Sequence, residues 1–307
     1  MEKRSLRQRV LATMKSVDTE SNFELYVTRT PGYLWALLFR ALHVHPIAVT
    51  LVSIVIGAAS GYFFYLGGTT NTLIGMGLLI WANWYDCADG QLARMTNQRT
   101  LLGRLLDGLA GDIWFVCIYL GIVLNIQPTY GWWVWLLFAY SGLHCHSKQC
   151  AIADYYRNIH LWVILGKEGS ELDTFAEEDA RYRSLRWRRG EWFEKFYLFF
   201  YRGYTRGQEK QTPRFQAFYG YVRAHHIVLS DEMRAAIRKE SKPLMKYTNI
   251  LTFDTRVGVL FVALLTGCPL LFPCFEIVVL EPLRFYMRHR HEAMCERHLK
   301  ELKDEQA

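Results

Sequence analysis

Within residues 86–112, a stretch with long apolar runs on both sides, four aspartates and one of the three arginines form a candidate site. They are Asp86, Asp89, Arg94, Asp107 and Asp112. A charged side chain inside a membrane costs at least about 2.5–3.5 kcal/mol on insertion scales, so such a cluster requires a metal, a counter-charge or a water-filled cavity. Carboxylates are ligands that hard divalent cations prefer, and an adjacent arginine suits a phosphate compound. The sequence therefore predicts a divalent-metal site that binds a phosphate-bearing substrate.

The spacing of these residues predicts two helix faces. Asp86 and Asp89 are three residues apart on one predicted helix, and Gly103 and Asp107 are four apart on the next. Side chains at these separations lie on the same side of an α-helix. We expect the two faces to pack together and bring three carboxylates to one point, with Arg94 at the level of the lipid headgroups.

The composition indicates a membrane protein with a substantial polar segment. The 307 residues are 51% hydrophobic and 15% aromatic, yet the mean hydropathy is only +0.01. Apolar residues concentrate in 46–160 and 250–288, whereas 167–246 is rich in charged and aromatic residues. This contrast excludes a single soluble domain. The net charge of +7 fits anionic lipid headgroups, and a polytopic chain argues against nucleic acid as the partner.

Six membrane spans can be drawn, each about long enough for a ~30 Å hydrocarbon core. They cover residues 46–66, 71–93, 103–126, 130–153, 250–268 and 270–283. The connections on one side of the membrane contain no Lys or Arg, so the positive-inside rule predicts that both termini and the basic segments are cytoplasmic. The acidic cluster then lies at the cytoplasmic ends of the second and third spans.

The predicted fold is all-α: a polytopic membrane protein with six transmembrane helices, an N-terminal interfacial helix and a cytoplasmic helical insertion. The segments are 1–45 with the interfacial helix, 46–160 with four spans and the acidic motif, 161–248 as the amphipathic insertion, and 249–307 with two spans and the tail. The interfacial helix could instead be an ordinary packed helix. The insertion could lie on a lipid surface, cap the site or form a dimer contact.

The acidic residues fit a longer pattern, D-x2-D-G-x2-A-R-x8-G-x3-D. It is made here by Asp86, Asp89, Gly90, Ala93, Arg94, Gly103 and Asp107. In this pattern the chain resembles the CDP-alcohol phosphotransferases, also called CDP-alcohol phosphatidyltransferases. The resemblance implies a phospholipid-synthesising transferase that moves a phosphoalcohol group from a CDP-alcohol to an acceptor hydroxyl and releases CMP. It also implies a homodimer.

The resemblance assigns roles to individual residues. The three aspartates of the pattern would bind two divalent cations, Mg²⁺ or Mn²⁺, together with a fourth aspartate that also acts as general base. The small residues Gly90, Ala93 and Gly103 would line the cytidine pocket, and Arg94 would contact the diphosphate. Metal ions beside a carboxylate base suit attack of a hydroxyl on a phosphorus atom.

The fourth aspartate departs from the family pattern. Four residues after Asp107 this chain has Gly111, and the carboxylate follows one residue later, at Asp112. One residue rotates a side chain by about 100° around an α-helix. We expect a one-residue bulge, eased by Gly108 and Gly111, to return Asp112 to the site as metal ligand and base. Otherwise Asp112 faces elsewhere and the base is lost or replaced.

Three cations near the fourth and fifth spans are candidates for binding the acceptor: Lys148, Arg157 and Arg256. Together they could hold a phosphorylated alcohol. Six-span relatives use CDP-diacylglycerol with glycerol 3-phosphate, serine, inositol or inositol phosphate, so the resemblance implies this donor. Because the cations favour a phosphorylated acceptor, inositol phosphate is the first candidate and glycerol 3-phosphate the second. Alternatively, Lys148 and Arg157 anchor the chain at the inner leaflet, and Arg256 pairs with Asp254 or with a lipid.

Three other functions stay open at this point. A soluble donor of the CDP-ethanolamine or CDP-choline type could react with a lipid hydroxyl. A catalytically silent homologue could bind CDP-lipid or act as a scaffold, and the glycine at position 111 motivates this hypothesis. A transporter is the third, but the carboxylates cluster at one membrane face rather than at the midplane.

Overall fold

A computed structural model describes residues 5–13, 16–19, 22–166, 170 and 172–306. Helices make up 85% of the chain, and no strand occurs among the described residues, which confirms the all-α prediction. In chain order the α-helices are α1 (Leu6–Leu11), α2 (Asn22–Glu24), α3 (Thr30–Ala41), α4 (Pro46–Leu66), α5 (Gly68–Thr96), α6 (Leu101–Tyr130), α7 (Trp133–Ala139), α8 (Ser147–Leu165), α9 (Phe175–Ser184), α10 (Trp192–Gln211), α11 (Pro213–Ala224), α12 (Asp231–Ser241), α13 (Met245–Ile250), α14 (Phe253–Leu265), α15 (Leu271–Phe275) and α16 (Glu281–Gln306). Wider π-helical turns occupy Leu25–Arg29, Tyr140–His146 and Glu276–Leu280, and a 3₁₀ turn occupies Lys242–Leu244.

The chain divides into two compact units. The first comprises residues 1–146 and 254–277, and the second comprises 147–253 and 278–307. The whole acidic motif belongs to the first unit. The four segments expected from the sequence were defined by membrane topology, whereas the two units are defined by how compactly the chain packs. The four segments therefore stay a prediction.

Helix α4 is the centre of the first unit because both α5 and α6 pack against it. Glycines allow the backbones of α4 and α6 to meet. A Cβ atom placed on Gly121 would lie 2.0 Å from the carbonyl oxygen of Gly61, and one placed on Gly57 would lie 2.2 Å from the indole of Trp114. Close approach through small residues is how helices associate in membranes, where lipid competes for apolar contact.

We expect Gly121→Ala to destabilise the first unit by about 1–3 kcal/mol, because the added methyl group would overlap the backbone of α4. Thermal unfolding of the purified chain in detergent measures this effect. Gly77→Ala in α5 is the matched control, since nothing lies within 4 Å of a Cβ atom there. That control should be neutral or stabilising, by up to about 1 kcal/mol. Equal melting temperatures for the two variants would contradict the close contact.

The N-terminal helix α3 packs against α5. The ring centroids of Trp35 and Tyr85 are 5.0 Å apart, and those of Trp35 and Trp81 are 6.0 Å apart. A Cβ atom on Gly32 would lie 2.7 Å from the Cβ atom of Cys87. These contacts are those of an ordinary packed helix. A position of α3 at the lipid interface stays a prediction.

Three helical stretches among the described residues are long and apolar enough to cross a membrane: Pro46–Leu66, Leu101–Tyr130 and Asp231–Leu265. They contain all of the first and third predicted spans and the greater part of the fifth. The protein is therefore an integral membrane protein. Helix α5 covers the second predicted span over 29 residues, but its C-terminal half carries the charged motif. The six-span count stays a prediction.

The second unit is built around α8, against which α10, α12, α13 and α16 pack. In its core the rings of Tyr156 and His291 stack with centroids 3.9 Å apart. Burial, with a smaller contribution from His160, lowers the pKa of His291 to about 3. His291 is therefore a neutral core residue at physiological pH. The predicted insertion thus packs with α8 and the C-terminal helix as one unit.

Candidate active site

A short turn between α5 and α6 sets the level of the acidic residues. Asn97 ends α5 in the left-handed conformation, with φ 55°. The hydroxyl of Thr100 begins α6 by accepting a hydrogen bond of 3.0 Å from the backbone N–H of Gly103. At ~1.5 Å per residue, Asp89 lies about 10 Å before the end of α5 and Asp107 about 9 Å after the start of α6. The two carboxylates therefore stand at a similar height.

The predicted convergence of three aspartates is present in the structure. Carboxylate oxygens of Asp86, Asp89 and Asp107 all lie within 4.8 Å of one another. Asp89 is buried, Asp86 is half-buried and Asp107 is exposed, so the group is open on one side. Thr50 of α4 interacts with the carboxylate of Asp89 from between the two helices. The cluster is thus built by α4, α5 and α6 together.

The three side chains fit a divalent cation. Among the described residues, the buried Oδ1 of Asp86 and Oδ2 of Asp89 form no hydrogen bond. A buried carboxylate oxygen without a partner is costly, and like charges this close repel one another. A hard cation such as Mg²⁺ or Mn²⁺ satisfies oxygen ligands and cancels that repulsion. Asp86, Asp89 and Asp107 are therefore the residues that would hold the metal.

Arg94, one of the predicted nucleotide-binding residues, interacts electrostatically with Asp89 and Asp107 of this group. The guanidinium of Arg94 lies over Gly90, because a Cβ atom there would be 3.4 Å from Nη1. Within the described part of the chain, the buried Nε of Arg94 has no hydrogen-bond partner. Ala93 and Gly103 are half-buried. A guanidinium with an unused donor beside a metal site suits a diphosphate, and the individual nucleotide contacts stay predictions.

Arg29 is a charged neighbour of the site that sequence reasoning missed. It ends the first π-helical turn and interacts electrostatically with Asp86. This turn is fastened to α5 by two hydrogen bonds: the indole of Trp84 donates to the carbonyl oxygen of Val27 at 2.9 Å, and the amide of Gln91 donates to that of Arg29 at 3.1 Å. No spacing pattern links Arg29 to the motif, because only tertiary packing brings the two together.

Asp112 is not part of the aspartate group. Helix α6 is α-helical from Leu101 to Tyr130, so the expected bulge was wrong: the hydrogen-bond ladder continues past Gly108 and Gly111. Five residues after Asp107, the side chain is rotated by about 140° around the helix. Asp112 is exposed and interacts electrostatically with His146. Its roles as metal ligand and as base both stay predictions. The position of the side chain on α6 does not favour the role as metal ligand.

Arg256, which was predicted to bind the acceptor, pairs instead with a side chain inside the protein. Its side chain is completely buried and forms an ion pair with the equally buried Glu276. Tyr119 and Ser141 donate hydrogen bonds to the same carboxylate, and Nδ1 of His146 lies 3.1 Å from Oε1 of Glu276. The prediction that Arg256 pairs with an anionic group is confirmed. Glu276 provides that partner from the π-helical turn after α15, and pairing of Arg256 with Asp254 or with a lipid stays a prediction.

The other two predicted acceptor residues belong to the second unit. Nη2 of Arg157 donates a hydrogen bond of 3.1 Å to Oδ1 of Asn249. Lys148 is half-buried. Their contact with an acceptor stays a prediction.

Comparison with known proteins agrees with the motif. The family model described as CDP-alcohol phosphatidyltransferase matches residues 43–159, a range that includes the whole aspartate group. The predicted resemblance is therefore confirmed over this range. No curated protein and no solved structure matches the chain.

Proposed function

We propose that this protein, whose residues 43–159 belong to the CDP-alcohol phosphatidyltransferase family, is an active metal-dependent transferase. It moves a phosphoalcohol group from a CDP-alcohol to an acceptor hydroxyl and releases CMP. One observation carries the proposal: three aspartates converge within 4.8 Å, and two of their buried oxygens form no hydrogen bond with any residue that the structure describes. A purely structural cluster of this kind would be destabilising.

Each residue of the site has a proposed role in the reaction. Asp86, Asp89 and Asp107 would hold two divalent cations. Bound cations of this kind neutralise the diphosphate and stabilise the departing CMP. Arg94 binds and orients the diphosphate, since its unused donor lies beside the group. We propose Asp112 as the base that accepts the proton from the acceptor hydroxyl, from its exposed position farther along α6.

The substrates are proposed from the family. CDP-diacylglycerol is the first donor, with inositol phosphate and then glycerol 3-phosphate as acceptors. A soluble CDP-choline or CDP-ethanolamine with a lipid hydroxyl is the alternative. Because Arg256 is paired inside the protein, support for a phosphorylated acceptor now rests on Lys148 and Arg157 alone. The site is proposed to face the cytoplasm, as are both termini, and the protein is proposed to be a homodimer.

The decisive experiment is a panel of CDP-alcohols and acceptors, scored for CMP release by the purified protein in lipid. We expect release with at least one pair, loss of release in EDTA, and recovery with Mg²⁺ or Mn²⁺. Donor and acceptor are then identified from the product lipid. Metal-dependent binding of a CDP-alcohol without CMP release for any pair would instead support the silent homologue. The displaced position of Asp112 is the observation that keeps this second function open.

The same assay tests the base. Asp112→Asn should reduce CMP release by about 10²–10⁴-fold, the usual contribution of a general base. Metal-dependent binding of the CDP-alcohol should persist, because Asp112 lies outside the aspartate group. Asp304→Asn, at an exposed position near the end of α16, is the control for loss of one negative charge. Unchanged CMP release in Asp112→Asn would exclude this side chain as the base.

A further inference from the structure

The second unit has an aromatic face that its own fold leaves uncovered. Five large aromatic side chains of α10 are exposed: Trp192, Phe196, Phe199, Phe200 and Tyr204. Their separations of three and four residues place them along one side of the helix. Leu198, on the opposite side of the helix, is buried in the unit. An exposed apolar patch of this size marks an interaction site rather than a solvated surface.

The loop before α10 extends this face. Trp187 is 60% exposed. The ammonium of Lys195 lies 5.8 Å from the centre of the Trp187 ring and donates a hydrogen bond of 2.6 Å to the carbonyl oxygen of Leu185. The loop therefore folds back on the first turns of α10 and holds a sixth aromatic side chain near the stripe. We call Trp187 and the five exposed residues of α10 the aromatic face.

The exposed charges around the aromatic face have one sign. Every charged residue that is exposed between positions 175 and 207 is an arginine: Arg183, Arg186, Arg188, Arg189 and Arg206. The acidic residues of the same stretch are buried or half-buried. Two of the exposed arginines are paired locally, Arg183 with Asp179 and Arg188 with Glu191. The rim of the aromatic face is therefore basic.

We propose that the aromatic face docks on the surface of a bilayer that contains anionic lipids. Aromatic side chains are favoured at the membrane–water interface, and a helix with one apolar and one polar side lies in that plane. The arginine rim complements lipid phosphates. A second copy is a poorer occupant, because its face would bring an identical basic rim into contact. The chain is also already anchored in a membrane, so a lipid surface is present at high local concentration.

The proposal is tested by photocrosslinking of the full-length chain in nanodiscs that contain phosphatidylglycerol. Phe196→p-benzoylphenylalanine places the reporter on the aromatic face, and the same substitution at Phe200 guards against a local defect. Val228, which is 85% exposed outside the face, receives the reporter as the matched control. Val55 on α4, an exposed residue of a candidate span, receives it as the positive control. Intact mass spectrometry then measures the lipid adduct at each position.

We expect adduct at positions 196 and 200, as at 55, to exceed that at 228 several-fold. Arg186→Gln and Arg189→Gln should each weaken docking of the aromatic face on nanodiscs that contain phosphatidylglycerol, by about fivefold. The reason is that a basic residue near an anionic surface contributes about 1 kcal/mol. Neither should change the yield in phosphatidylcholine. Crosslinks to a second copy or to the same chain would overturn the proposal, as would equal yields at 196 and 228. Because this readout is independent of CMP release, it stands or falls separately from the proposed function.

Discussion

Asp89→Asn is expected to lower metal-dependent CMP release by on the order of 10³-fold while the protein remains folded. Asp89 is the most buried member of the aspartate group, with 4% of its surface exposed, and its Oδ2 forms no hydrogen bond among the described residues. An amide keeps the shape of the side chain but removes the charge that a cation requires. CMP release with the active substrate pair measures the loss.

The same variant should behave differently in stability measurements. Without metal, Asp89→Asn should be at least as stable as the unmodified protein, because it relieves repulsion from Asp86 and Asp107. Added Mg²⁺ should raise the melting temperature of the unmodified protein, since a ligand at 100 times its Kd stabilises by about 2.7 kcal/mol. The variant should lose most of that shift. Asp304→Asn should retain both the shift and the activity.

Two results would contradict this account of Asp89. One is CMP release at the level of the unmodified protein, which would remove the aspartate group from the chemistry. The other is unfolding of Asp89→Asn without metal, which would make the carboxylate a structural element.

Arg256→Met is expected to destabilise the protein by about 3–5 kcal/mol. The substitution removes the guanidinium that pairs with Glu276, while the charged carboxylate stays completely buried beside His146. The hydrogen bonds from Tyr119 and Ser141 compensate only part of that cost. Unfolding of the purified protein in detergent, followed by heat or denaturant, measures the change.

A double-mutant cycle separates the pair from its surroundings. Glu276→Leu alone should also be destabilising, whereas Arg256→Met with Glu276→Leu should recover much of the loss, because an apolar pair needs no charge compensation. Arg297→Ala is the surface control. Arg297 pairs with Glu240 at a half-exposed position, and its loss should cost less than about 1 kcal/mol.

The same variants also distinguish two roles of Arg256, as a ligand of the acceptor phosphate or as the buried ion-pair partner of Glu276. If the guanidinium bound an acceptor phosphate, Arg256→Met would raise the KM for a phosphorylated acceptor and leave stability nearly unchanged. The buried ion pair predicts the opposite pattern. Additive effects of the two single substitutions would argue against coupling between Arg256 and Glu276.

Much of the aspartate group could be predicted from the sequence because it depends on local geometry. Asp86 and Asp89 share a helix face through the α-helical repeat alone, and a short turn returns the chain so that Asp107 stands at a similar height. Helix content and the apolar stretches follow in the same way from composition and periodicity. These features depend on neighbours within a few turns of the chain.

The remaining features depend on packing between distant segments. Arg29 approaches Asp86 because a π-helical turn is held on α5 by hydrogen bonds. Glu276 meets Arg256 because α14 and the π-helical turn after α15 bury both charges within one unit. Asp112 lies outside the aspartate group because α6 continues as a regular α-helix past Gly108 and Gly111. By itself the sequence determined which side chains share a helix face. Only the tertiary structure decided which buried charges meet, because contacts between distant segments leave no periodic signal in the chain.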